Sequence, residues 1–248
     1  MQLLAGVMSL FLLKNKKKLM RPRSRQKKVF NILICLFASV SGACAQPDDP
    51  AEKELWRAAK KNDVAAIQKL LKKGVDLEAK DAKKRTALML ATYENNVEAA
   101  GVLIKAGADV NARDHILTSP FLYAGANGYL EILKLCLNSG KVDYKVVNRY
   151  GGTALIPACE RGHVSTVKEL LKLDDFPIDH VNKLGWTALM EAIVLSNGGP
   201  RHVEIVQLLV DAGCNVNIPD NDGVTPLMHA EQKGFKEIAA ILKKAGAK

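Results

Sequence analysis

From about residue 52 onward the apolar positions cluster in short runs with the i, i+3 spacing of a helix face, and the runs return at a fixed interval. "TALMLA" (86–91), "TALIPA" (153–158), "TALMEA" (187–192) and "TPLMHA" (225–230) open alike, and "SPFLYA" (119–124) is a looser copy. Their first residues, Thr86, Ser119, Thr153, Thr187 and Thr225, are separated by 33, 34, 34 and 38 positions. A repeat of this length is one supersecondary unit, which hides its apolar side only by stacking on the next copy.

With that Thr or Ser as position zero, a sixth, degenerate unit starts at Lys53. Position +2 is Leu55, Leu88, Phe121, Leu155, Leu189 and Leu227, and position +5 is Ala58, Ala91, Ala124, Ala158, Ala192 and Ala230. Both lie on one helix face, and the alanine lets a neighbouring backbone come close. Position +9 is Asn62, Asn95, Gly128, Gly162 and Gly234, residue types that end a helix. A second helix carries Leu70, Leu103, Cys136, Leu170, Leu209 and Leu242, then a closing Gly74, Gly107, Gly140, Gly213 or Gly246. The pattern predicts an all-α solenoid of about six units, each helix, turn, helix and extended loop, at roughly 52–81, 82–114, 115–148, 149–182, 183–220 and 221–248. Helices this short persist only when neighbours cover them.

Three departures carry their own expectations. The fourth unit has "DDFP" (174–177) instead of the closing glycine, which predicts a distorted turn. Pro157 at +4 removes an early helical hydrogen bond. "SNGGPR" (196–201) lengthens the fifth unit and reads as a longer loop at the edge far from the loop tips. The charged first and last helices suit end caps.

"TPLMHA" and "TALMLA", with the turns "GADVNARD" (107–114) and "GCNVNIPD" (213–220), resemble the ankyrin-repeat family over about residues 51–248. One difference is consistent: the family's His at +3 is replaced by Met89, Leu122, Ile156, Met190 and Met228. The family's Thr–His side-chain bond is therefore missing, and apolar packing is expected in its place.

Net charge is +10, but nine of the 36 Lys/Arg and none of the 26 acids lie in residues 1–45. Residues 46–248 hold 27 basic and 26 acidic side chains, so no phosphate-tracking surface, and hence no nucleic-acid partner, is expected. The basic leader has the layout of a signal peptide starting at Met20: Arg21 to Lys28, an apolar run Val29 to Val40, and Ala43-Cys44-Ala45 as the cleavage site. Cleavage after Ala45 is expected. "SGAC" also resembles a relaxed lipobox, with lipidation at Cys44 as the alternative and Ser41 where a Leu is usual. Residues 46–51 read as a linker.

No phosphate loop, nucleophile elbow or H-E-x-x-H is present, so no enzyme, cofactor or metal is expected. Cys136, Cys159 and Cys214 lack paired spacing and read as small core residues. His163 and His202 sit where the family carries a structural histidine; His115 and His229 face outward without an acid–nucleophile set. The resemblance places a partner on the concave side, against the loop tips (−4, −3, −1) and the first helices (+4, +7, +8). The candidates are Arg85, Tyr93, His115, Ile116, Tyr123, Arg149, Tyr150, Lys183, Leu184 and Trp186; Lys83, Glu160, Arg161, Glu191, Asn221, Asp222 and His229 share the same rows. Aromatic and arginine side chains dominate interface hot spots. The sequence thus predicts a monomeric, exported, non-catalytic protein-binding module, periplasmic or secreted. The alternatives are an effector acting on host proteins, a periplasmic inhibitor or immunity protein, and an accessory factor of an exported enzyme.

Overall fold

The computed structural model describes residues 49–248. The expected start at Met20, the signal peptide and its sites at Cys44 and Ala45 lie outside the described residues.

Twelve helices are present among the described residues, two per unit, and no strand. The first unit has α1 (Pro50–Lys60) and α2 (Val64–Lys72), the second α3 (Ala87–Tyr93) and α4 (Val97–Lys105), the third α5 (Pro120–Asn127) and α6 (Leu130–Asn138). The fourth has α7 (Leu155–Glu160) and α8 (Val164–Leu170), the fifth α9 (Ala188–Val194) and α10 (Pro200–Asp211), the sixth α11 (Pro226–Gln232) and α12 (Lys236–Lys244). Every helix packs on its counterpart in the adjoining unit, which makes a solenoid of two helical layers.

The repeated opening is a helix cap. Thr86, Ser119, Thr187 and Thr225 each accept a hydrogen bond from the backbone N–H three residues on, at 3.2–3.3 Å. Each cap satisfies a donor that the first turn leaves without a partner. Behind it the +2 and +5 side chains are sealed: Leu88, Leu155, Ala91 and Ala158 are fully buried. At the turn between α5 and α6, Gly128 has φ +71°, and a Cβ there would sit 2.6 Å from the His163 ring. Only glycine meets both demands.

The +3 residues take over from the missing histidines by packing: Met89, Leu122, Ile156 and Met190 are buried. Met228, in the last of the described units, is 46% exposed.

The fourth unit departs as expected, and further. Without an N–H on Pro157, the Thr153 carbonyl loses the bond that Leu90 gives Thr86 at 3.0 Å, and α7 starts one residue late. The Thr153 hydroxyl is the one buried side-chain nitrogen or oxygen without a hydrogen-bond partner among the described residues. The turn after α8 has no left-handed residue, and Phe176 fills it, its ring tilted against that of Tyr144 with centroids 5.3 Å apart.

Two boundaries differ from the sequence reading. Helix α1 begins at Pro50, inside the expected 46–51 linker, because Asp49 caps Ala51 at 2.9 Å and proline suits a first helical position. The insertion is not only loop. Pro200 and Arg201 belong to α10, and Gly198 lies so close to Phe235 of the sixth unit that a Cβ would clash at 2.5 Å.

Candidate protein-binding surface

The loop tips owe their shape to a row that the sequence pattern left unmarked. At position −5 stand Asp81, Asp114, Asn148, Asn182 and Asp220. In each, one side-chain oxygen accepts from the backbone N–H two and four residues later, at 2.8–3.1 Å. This is how Asx residues fold a backbone into a turn. An Asp or Asn five residues before each Thr or Ser was the available signal.

The same row clasps the first helices. Asn182 donates to Glu191 Oε1 at 2.7 Å, and Asp220 meets His229 Nε2 at 2.7 Å, both between −5 and +4 of one unit. The His229 bond, with the two tip N–H groups, outweighs burial and holds the Asp220 carboxyl below its usual range. Asp114 accepts from the Tyr93 hydroxyl of the preceding unit at 2.6 Å. Burial, then that carboxylate, pushes the Tyr93 hydroxyl well above its ordinary value.

Backbone bonds join some tips and not others. His115 N–H donates to Lys83 O at 3.0 Å, joining tips two and three. Lys183 N–H donates to Tyr150 O at 2.9 Å and its Nζ to Arg149 O at 3.0 Å, joining tips four and five. Among the described residues no hydrogen bond joins residues 115–118 to residues 148–152.

Between the tips and the first helices of units three to five runs a groove of about 620 Å³. Its lining comes entirely from positions −5 to −1 and +3 to +8 of those three units. Pro157 forms its floor. At the same +4 position the neighbouring units carry Tyr123 and Glu191, so the compact proline leaves a hollow between two larger side chains.

Five of the sequence candidates line this groove: Ile116, Tyr123, Arg149, Tyr150 and Leu184. Tyr150 and Leu184 are 52% and 51% exposed. The Arg149 guanidinium lies 4.6 Å from the Tyr150 ring centroid and donates to its hydroxyl at 2.7 Å. Tyr123 stands edge-on to Tyr93, ring centroids 4.4 Å apart.

The other five lie outside it. Arg85 is bound twice to Asp81, at 2.8 and 2.6 Å, and these bonds, with the tip N–H groups, overcome burial and lower the Asp81 pKa. Tyr93 is held by Asp114, and the His115 ring nitrogen faces Lys83 O at 3.0 Å. Lys183 is exposed beside Arg149, and Trp186 is half-buried outside the main apolar core. Tip and helix rows therefore meet, but Arg85 and Tyr93 serve the fold.

Glu191 is the residue whose environment the sequence did not convey. It is 6% exposed and lines the groove from α9. Burial raises its pKa to about 7, the Glu160 carboxylate adds to the rise, and the Asn182 bond and Arg161 oppose it. Leu195, at +8 just before the insertion, completes that wall and is 49% exposed.

The histidines and cysteines are structural in their contacts. His202 Nε2 lies 3.0 Å from Glu160 O, tying α10 to the end of α7. All three cysteines are buried, and burial pushes the Cys136 and Cys214 thiols up to about 12. Thiols so raised are poor nucleophiles. Among the described residues no helix is long and apolar enough to cross a membrane.

A family model described as ankyrin repeats matches residues 24–114, 121–220 and 193–248. YahD of Escherichia coli (strain K12), which bears an ankyrin-repeat name, is 42% identical over 190 residues, 77% of this chain and 94% of YahD. The crystal structure of an ankyrin repeat domain from Acinetobacter baumannii AYE superposes with a TM-score of 0.76 at 53% identity, covering 78% of this chain and 98% of that one. The ankyrin repeat domain of Bcl-3 gives a TM-score of 0.72 at 26% identity, covering 82% and 88%. By motif, relatives and architecture, this chain belongs to the ankyrin-repeat family.

Proposed function

We propose that this chain is a non-catalytic protein-binding module that grips one partner protein through the groove of units three to five. Ankyrin repeats are typically protein-interaction modules. The observation that carries the reading here is the pairing of exposed Tyr150 and Leu184 with Arg149 on the rim of that groove. Aromatic and arginine side chains beside an apolar hollow supply contact area at small entropic cost. The basic leader and Ala43-Cys44-Ala45 support export, with the partner met in the periplasm or beyond.

The test is affinity purification of the full chain from its envelope fraction, alongside Tyr150→Asp and Leu184→Asp. Both variants are expected to melt within a few degrees of the parent and to lose the protein that the parent retains. Retention of the same protein by both variants would remove the groove from the reading. N-terminal sequencing of the purified chain is expected to begin at Gln46.

A further inference from the structure

The groove contains a mismatch of charge that the chain does not resolve by itself. Glu191 projects into it from α9 and Glu160 lines it from the end of α7. Glu191 is almost fully buried, and its Oε1 accepts a single hydrogen bond, from Asn182 at 2.7 Å. Among the described residues neither Glu160 nor Glu191 forms an ion pair. A carboxylate taken from water with one hydrogen bond and a like-charged neighbour is costly to keep ionised.

The nearby cations do not supply the missing charge. Arg161 donates to Ala126 O at 2.8 Å and Asn127 Oδ1 at 3.1 Å, toward unit three. Arg149 is bound to Tyr150, and the Lys183 ammonium to Arg149 O. The basic groups thus stand on the rim, with the carboxylates in the hollow. Pro157 keeps that hollow open, because no longer +4 side chain grows from α7 to fill it.

We propose that the hollow beside Pro157 receives the guanidinium of an arginine side chain carried by the bound partner, paired with the Glu191 carboxylate. This rests on the groove being the partner site. Guanidinium is the cation that fits: it is planar, it pairs with a carboxylate through two parallel bonds, and it stacks on an aromatic face such as that of Tyr123 in the groove wall. The basic rim selects the surroundings of that arginine. A segment with acidic or neutral neighbours meets Arg149 and Lys183 favourably, whereas a run of basic residues is repelled.

The test uses the full chain and two synthetic probes, acetyl-Asp-Arg-Asp-amide and its citrulline counterpart, which keeps the shape and loses the charge. Calorimetric titration is expected to show the arginine probe binding at least about tenfold more tightly than the citrulline one. Glu191→Gln is expected to erase that preference while its thermal midpoint stays at or above the parent's, since glutamine keeps the oxygen that Asn182 holds. Glu160→Gln is expected to weaken it less. Equal binding of both probes, or an undiminished preference in Glu191→Gln, overturns the proposal. A partner protein lost by Tyr150→Asp yet kept by Glu191→Gln also overturns it, and leaves the groove as the docking site.

Discussion

The second and fourth layers share one register and are finished differently. In the second, Thr86 caps Met89, its carbonyl accepts from Leu90, and Gly107 closes α4 in a left-handed turn. In the fourth, the Thr153 hydroxyl is buried and unpaired, Pro157 deletes a helical bond, and Phe176 stands in for the glycine turn. Yet Leu155 is as deeply buried as Leu88. Packing from both sides therefore holds a layer whose own start is poor, as expected where short helices draw their stability from neighbours. The imperfect layer is also the one that floors the groove.

If packing outranks capping, Leu88→Asp and Leu155→Asp should be about equally harmful. Each places a charge in a dry layer at a cost of several kcal/mol, and circular dichroism is expected to show loss of the cooperative melt in both. A mild effect at Leu155 alone would mean that the fourth layer is held by something else.

Glu191 gives the next largest effect. Its folded pKa of about 7 lies above an ordinary glutamate value of 4.5, through burial and Glu160 and against Asn182 and Arg161. Between those values the folded state holds more protons than the unfolded one, so the group's contribution to stability is complete below 4.5 and fades as pH rises through 7. The loss is on the order of 2–3 kcal/mol between about pH 4.5 and pH 8. Urea unfolding of Glu191→Gln is expected to flatten that slope and to exceed the parent in stability at about pH 8.

The caps supply a smaller contrast of opposite sign. Thr86→Val is expected to cost about 1 kcal/mol, through loss of the bond to Met89. Thr153→Val removes a desolvated hydroxyl with no bond to lose, and is expected to gain up to about 1 kcal/mol. Urea midpoints of the two variants check both signs. Smallest is Trp186→Ala: it lies outside the main apolar core, at a position where the fourth layer already has Gly152, and a shift under about 1 kcal/mol is expected. A larger loss of thermal stability would make Trp186 a core residue.

The layers were legible in the sequence because each repeats a side chain whose job depends on type: Thr to cap, Leu to fill, Ala to admit a backbone, Gly to turn. Pro157 was legible for the same reason, since a missing N–H is a local fact. The −5 row escaped notice because it alternates Asp with Asn inside loops, where either residue looks like ordinary polar filler. Arg85 and Tyr93 were placed on the partner side by position alone. Their hydrogen bonds to Asp81 and Asp114 depend on tip geometry, and in Tyr93's case on the following unit. The surroundings of Glu191 include Glu160 and Arg161 of the preceding unit, which spacing within one unit does not carry. Phe176 needed Tyr144 of the preceding loop to explain it.

The pattern of backbone bonds along the tips divides the rim into two stiff pieces. Lys83 with His115 forms one, Tyr150 with Lys183 the other, and the unstitched boundary between them falls beside Ile116 and Tyr150 at the mouth of the groove. At the tips no hydrogen bond resists widening of this boundary, and the bonds of Arg161 to Ala126 and Asn127 tie units three and four only at the far ends of their first helices. A side chain entering the groove there meets the one stretch of the tip row between units two and five that backbone bonds leave unjoined.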